Sequence, residues 1–269
     1  MVIATSEFER LFELIPETQS FVRDVSGASV EYPKDVWKTV QEHVRDQMLD
    51  IEENRKLSNS GKFRVLIGKF LYVQIKSQTA EKVMEYLSSR FNTPKELAEA
   101  DVGSLIAKFR QLGYRFPNKA RTLIAISRVL RDRFNGRIGD YIVFVDGNYR
   151  DDPILGVKGV GFKTRDIALS SFTKKYSLVD VHISNVLSRT GLILRAYLYG
   201  FKLTTDRSNE INYLEMTRLL SKLSEEAEMK PFEFDQTLWF FGKDYCSPRK
   251  CIKCPAKKCV TRDFTDFIE

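Results

Sequence analysis

Lys163 and Asp180 are the residues of this chain whose types and setting point most directly to covalent chemistry. Lys163 closes the run Val157-Lys158-Gly159-Val160-Gly161-Phe162-Lys163, and Asp180 stands seventeen residues further on. A lysine amine that has lost its proton can attack an electrophilic carbon and form a Schiff base, and burial beside other cationic charge would favour that neutral form. A carboxylate can stabilise a developing cation and relay protons. The two glycines allow a tight backbone hairpin. A short helix is suggested before it at Asp151-Asp152-Pro153-Ile154-Leu155, and Ile167, Ala168 and Phe172 recur at helical spacing after it. Helix, hairpin and helix together aim backbone N–H groups at a phosphate without reading sequence. The plainer alternatives are a solvated lysine at a helix start and an aspartate that only N-caps Val181-His182-Ile183.

The second constellation is Cys246-x4-Cys251-x2-Cys254-x4-Cys259. All four cysteines of the chain lie here, which suits one metal centre in a reducing compartment better than a disulfide framework. A zinc ribbon normally has two Cys-x-x-Cys knuckles, and only one is present, so a compact loop around a [4Fe–4S] cluster fits better and zinc is the alternative. Arg249, Lys250, Lys253, Lys257 and Lys258 decorate the loop, where they can offset the thiolate charge and also meet phosphates. With only His43 and His182 in the chain, and His43 distant in sequence on a polar helix, a histidine metal site is not expected.

The bulk composition is compatible with this. The chain has 269 residues, 43% apolar and 29% charged, with a net charge of +7, which favours a polyanionic partner. No stretch approaches the ~20 apolar residues of a membrane span. Glu7, Glu9 and Arg10 stand where a signal peptide would place its apolar core, so a cytosolic protein, or a nuclear one in a eukaryote, is expected.

The elements that must position these residues read as nearly all helix, and the expected class is all-α. Val36, Trp37, Val40, Val44, Met48 and Ile51 mark a long amphipathic helix from Pro33 to about Leu57. Ser58-Asn59-Ser60-Gly61 breaks it, and Phe63 to Ile75 is apolar enough for a central buried helix. Thr79 is a candidate N-cap for a helix to Phe91. Asn92-Thr93-Pro94 opens a short helix, Asp101 caps another ending near Gly113, and Pro117 suits the first turn of the next. Gly136 and Gly147-Asn148 bracket a further segment. Helices are expected over Asp180 to Leu194, Ile211 to about Met229 and Pro231 to Phe241, with a polar connection from Gly200 to Asn209.

Gly159-Val160-Gly161-Phe162-Lys163-Thr164 and Val179-Asp180-Val181-His182 resemble the signature of the helix-hairpin-helix DNA glycosylases, the endonuclease III superfamily. The resemblance implies that Lys163 is the nucleophile of a bifunctional glycosylase and AP lyase and that Asp180 is its essential carboxylate. Breaking a base from deoxyribose needs stabilisation of a cationic sugar and a nucleophile for the anomeric carbon, roles these two residues can fill. The sequence departs from the family at Lys158, where proline is common, and at Arg165-Asp166, where small apolar residues are usual. The same superfamily carries a C-terminal cysteine cluster with longer outer spacers, and Phe232 to Cys246 is similar to the helix leading into it.

Two loops complete the resemblance. Ile75-Lys76-Ser77-Gln78-Thr79-Ala80 is similar to the segment whose glutamine fills the gap left by a flipped nucleotide, which makes Gln78 the wedge candidate. Leu112 to Ala120 resembles the second DNA-facing loop, where Tyr114 or Phe116 could stack on a base or pack in the core. This loop also resembles the archaeal 8-oxoguanine glycosylases, which lack the cysteine quartet. The likeness runs from about residue 61 to 259. It implies a helical barrel over 61–172, and a second lobe of 1–60 with 173–269. The expected activity is removal of a damaged, most readily oxidised, base from double-stranded DNA by a monomer with a [4Fe–4S] cluster. A mismatch thymine or uracil glycosylase is the second enzyme reading, and a non-catalytic zinc-stabilised DNA-binding module the third.

Overall fold

The computed structural model describes residues 34–72, 77–175, 177–201, 210–251 and 254. The described residues form helices and turns, with no strand among them, so the fold is all-α. Among them no helix is long and apolar enough to cross a membrane. The first helix, α1, runs Lys34–Lys56 with Val40, Val44 and Ile51 buried at its expected steps. Ser58 caps α2, Asn59–Leu71, by accepting from the Gly61 N–H. Leu66, Ile67, Phe70 and Leu71 are almost without solvent contact, as the apolar run predicts.

Helix α3 spans Ser77–Arg90, so Thr79 lies inside it and does not cap it. A capping box opens α4, Pro94–Ala98: Thr93 Oγ1 accepts from the Glu96 N–H and the Glu96 carboxylate accepts from the Thr93 N–H. Asp101 caps α5, Val102–Gln111. Helix α6, Lys119–Phe134, begins just after Pro117, whose carbonyl accepts from the Ala120 N–H in the turn before it. Helix α7, Ile138–Gly147, a 3-10 turn at Pro153–Gly156 and α8, Phe162–Leu169, follow.

The expected helix from Asp180 to Leu194 is broken in two. Helix α9 covers Val181–Arg189, and Gly191 then takes φ +76, which ends it before a 3-10 turn at Leu192–Leu194 and the short α10, Arg195–Leu198. Helix α11, Glu210–Glu226, and α12, Pro231–Phe241, close the order. The connection expected after Gly200 lies at 202–209, outside the described residues, as does the segment 1–33. Two compact units emerge, residues 47–173 and residues 1–46 with 174–269. In the first, α2 packs on α8 and α4 on α6; in the second, α9 and α11 pack on α12.

Arg165 and Asp166, the departures from small apolar side chains, form a buried ionic network in unit 47–173. Both Arg165 and its partner Asp152 have fully buried side chains. Arg165 Nη1 donates to Asp152 Oδ2 at 3.0 Å and to the Tyr149 carbonyl at 2.9 Å, and Nε donates to Asp166 Oδ1 at 2.7 Å. Tyr141 donates its hydroxyl proton to Asp152 and Tyr149 donates its own to Asp166. The guanidinium also lies 4.1 Å from the Tyr149 ring centroid. Burial opposes the Arg165 charge, but Asp166 and Asp152 outweigh it and raise its pKa. Arg165→Met would leave two buried carboxylates facing each other, and breaking such a pair costs about 3–5 kcal/mol. A fall of that size in urea-unfolding free energy is expected, with Lys163→Met as the exposed control that leaves stability unchanged.

Candidate active site

The hairpin is built from beneath. Val157, Val160 and Phe162 are buried, while Lys158, Gly159 and Lys163 are exposed. The Val160 N–H donates to the Val157 carbonyl at 3.0 Å, closing the turn. Gly159 sits at φ +88, where a side chain would be strained. Gly161 is different: at φ −118 and ψ 178 it is extended backbone that any residue adopts. The reading in which both glycines supply unusual dihedrals is therefore corrected to Gly159 alone. Gly161 is the N-cap of α8 and offers no side chain to the first-turn N–H groups. Thr122 on α6 steadies the turn by donating to the Lys158 carbonyl at 3.2 Å. Lys163, in the first turn of α8, is exposed, so the burial considered for its amine is not found.

Asp180 is half-buried at the N-cap of α9, and its carboxylate is held from three sides. Oδ1 accepts from the N–H groups of His182 at 2.8 Å and Ile183 at 3.0 Å. Oδ2 accepts from Trp239 Nε1–H at 2.9 Å. The cap suggested by sequence and the candidate reactive carboxylate are thus the same group. Trp239 was missed in the sequence, where its place in an apolar helix reads as ordinary packing.

Around Trp239 the two histidines converge. His43 stacks on the indole at 6.5 Å between centroids, and His182 meets it edge-on at 5.7 Å. His43 is therefore distant from His182 in sequence only. His182 Nδ1 is also 2.7 Å from Ser247 Oγ, to which Asn185 donates at 3.3 Å, so α9 is joined to the start of the cysteine loop.

One turn before Trp239 on α12 lies Asp235, buried, whose Oδ2 accepts from the Leu178 N–H at 3.0 Å. Burial pushes its pKa up to about 7, the Asp180 charge adds to the rise, and the Leu178 N–H, Lys174 and Gln236 oppose it. The sequence offered no signal for this group beyond a carboxylate on an apolar helix.

Helix α12 ends against α9 at Gly242. A Cβ there would lie 2.5 Å from the His182 carbonyl oxygen, backbone that cannot turn aside. Gly242–Cys246 forms a π-helical turn that delivers Cys246, buried, into the loop, and Arg249 follows at φ +55. Cys251 and Cys254 are half-buried and share a turn in which the Cys254 N–H donates to the Cys251 carbonyl at 3.1 Å. Cys259 lies outside the described residues, with Lys253, Lys257 and Lys258; Arg249 and Lys250 are exposed.

At the two other loops, Gln78 is exposed in the first turn of α3. Tyr114 is only 3% exposed, its hydroxyl donates to the Leu71 carbonyl at 2.6 Å, and its ring packs on Phe109. The base-stacking alternative for Tyr114 is corrected, because a ring so anchored belongs to the core. Phe116 is 45% exposed.

A sequence model of the family described as HhH-GPD superfamily base excision DNA repair protein matches residues 67–197. An endonuclease III from Thermotoga maritima is 28% identical over 85% of this chain and 92% of its own length. An 8-oxoguanine DNA glycosylase/AP lyase from Korarchaeum cryptofilum is 24% identical over 75% of this chain and 88% of its own. The fold is shared with a trapped endonuclease III–DNA covalent intermediate, TM-score 0.55 at 21% identity over 84% of this chain and 98% of that one.

Two outcomes follow from the geometry. Gly242→Ala must push α12 away from α9, and overpacking of this kind costs about 1–3 kcal/mol, visible as a lower melting temperature. For Asp235, the unfolded carboxyl titrates near its ordinary value of 3.8 and the folded one near 7. Between those values the folded state holds the extra proton, so its stabilisation is complete below about pH 4 and lost as pH rises through about 7. Asp235→Asn keeps an acceptor for Leu178 and cannot ionise. Its melting temperature should gain on the parent protein between about pH 5 and pH 8.

Proposed function

The chain belongs to the helix-hairpin-helix, endonuclease III superfamily of base excision DNA repair proteins, and from that premise we propose that it is a DNA glycosylase with AP lyase activity, removing an oxidised base. The observation that carries the reading is Lys163 exposed directly behind a hairpin whose Gly159 conformation is fixed by buried valines. Relatives described as endonuclease III and as 8-oxoguanine DNA glycosylase/AP lyase support the same chemistry.

In this reading the hairpin and the start of α8 grip a DNA phosphate through backbone N–H groups. Gln78 fills the space of the extruded nucleotide, and exposed Phe116 meets a base by stacking. The Asp180 carboxylate stabilises positive charge on the sugar as the glycosidic bond breaks. The Lys163 amine, once neutral, forms a bond to the anomeric carbon while the base leaves with the bonding pair and takes up a proton. Opening of the sugar ring gives a Schiff base. Loss of a proton from the adjacent carbon then expels the 3′ phosphate, and water releases the lysine.

The soft thiolate donor set of Cys246, Cys251, Cys254 and Cys259 suits a [4Fe–4S] cluster, with zinc as the alternative metal. Cys246 ends the π-helical turn and a turn joins Cys251 to Cys254; among the described residues no three such side chains are gathered to hold a metal ion, so this reading rests on the cysteine donor set and its spacing. Such a group would brace the loop that Ser247 joins to α9, and Arg249 and Lys250 offer charge to phosphate.

Borohydride should trap a covalent adduct between the protein and duplex DNA bearing one oxidised base, and Lys163→Ala should abolish it. Trapping that persists in the variant sinks the role given to Lys163. A panel of duplexes, each with one defined lesion and opposite base, identifies the substrate. Protein purified without oxygen should contain iron in place of zinc, and Cys254→Ser should lose it.

A further inference from the structure

We propose that Trp239 is a positioning residue for the reaction, its indole N–H holding the second oxygen of Asp180 in the direction that charge stabilisation requires. The inference rests on the reading of Asp180 as the reactive carboxylate. Any aspartate at an N-cap has one oxygen engaged by the first-turn N–H groups, as Oδ1 is here. The other oxygen is ordinarily left to water. In this chain it faces Trp239 Nε1 at 2.9 Å.

An indole N–H is a donor only. It engages one lone pair of Asp180 Oδ2 and fixes the direction of that oxygen. It also leaves Oδ2 with a second lone pair for the developing cation.

The indole itself has little freedom. His43 stacks on one face with an interplanar angle of 11°, Phe240 stands at right angles to it at 5.0 Å, and His182 contributes an edge. The Lys243 amine lies 5.0 Å from the ring centroid. One helical turn away, Asp235 holds the Leu178 N–H. Two side chains four residues apart on α12 thus fix two residues of the segment leading into α9, since positions i and i+4 share a helix face. A packing role would need the ring alone. The N–H aimed at Asp180 is what packing does not explain.

The test is Trp239→Phe, which keeps an aromatic ring and deletes the donor, beside replacement of Trp239 by its 3-benzothienylalanine isostere, in which sulfur stands for the N–H. Val143→Ala, at an exposed position on α7, is the control for substitution as such. Single-turnover base excision, affinity for the lesion duplex and melting temperature are measured for each. Both donor-deleted proteins should lose about 10-fold or more in excision rate, the scale of a hydrogen bond to a charged group, with duplex affinity unchanged. Val143→Ala should stay within about 2-fold of the parent rate. An isostere that keeps the parent rate overturns the proposal, as does a rate loss matched by lost affinity or folding in both replacements. If Asp180→Asn is inactive while the isostere is fully active, the glycosylase reading stands and the role of Trp239 falls. A parent protein that excises no base from any duplex removes both.

Discussion

A guanidinium wholly removed from water is tolerated only where opposite charge and hydrogen-bond acceptors replace its hydration. Arg165 meets that condition at Nε and Nη1 through Asp152, Asp166 and the Tyr149 carbonyl, with Nη2 left without a hydrogen-bond partner, and the hairpin depends on the result. Asp152 pairs with Arg165 and also caps the 3-10 turn that enters the hairpin, through the Ile154 N–H. Arg165 and Asp166 belong to the helix that leaves it. Entry and exit are therefore tied to one charge cluster. Lys163, two residues before Arg165 and about 200° around the helix, is carried outward by the inward anchoring of its neighbour.

Unit 1–46 with 174–269 solves a related problem by different means. Its central carboxylate keeps partial access to solvent and is held by donors of fixed direction, two from the backbone and one from an indole. Donors set in place before charge develops need no reorganisation at the moment of reaction. On the reading that gives Asp180 the reaction, helix α12 would supply that preorganisation along one face, and its end is seated on α9 by the glycine that lets two backbones meet.

Helix positions were legible in the sequence wherever apolar periodicity and a capping residue agreed. Val40, Val44 and Ile51 announced α1, and Asn92-Thr93-Pro94 announced α4. The break at Gly191 was not, because Ile183, Val186 and Leu187 are followed by Leu192 and Leu194, and the apolar rhythm continues through a change of helix type. Among the candidate functional residues, Lys163, Asp180 and Gly159 were visible as local motif residues. Tyr114 and Phe116, two residues apart in one loop, could be separated only by knowing that the Leu71 carbonyl lay within reach of one hydroxyl. Trp239 and Asp235 were hidden for the same reason: their partners lie 59 and 57 residues away, and spacing carries no record of such contacts.

The N-cap role of Asp180 has a consequence for how this protein could change over evolutionary time. Asparagine and aspartate cap helices about equally well, and an amide oxygen can accept from the same indole. A single-base drift from aspartate to asparagine would leave the fold intact while removing the carboxylate charge. The hairpin and its basic surroundings would persist, so on the glycosylase reading such a variant would be a stable protein that keeps its phosphate grip and loses the reaction. Selection on folding alone therefore gives this carboxylate little protection, and its retention in a lineage would record selection on something other than folding.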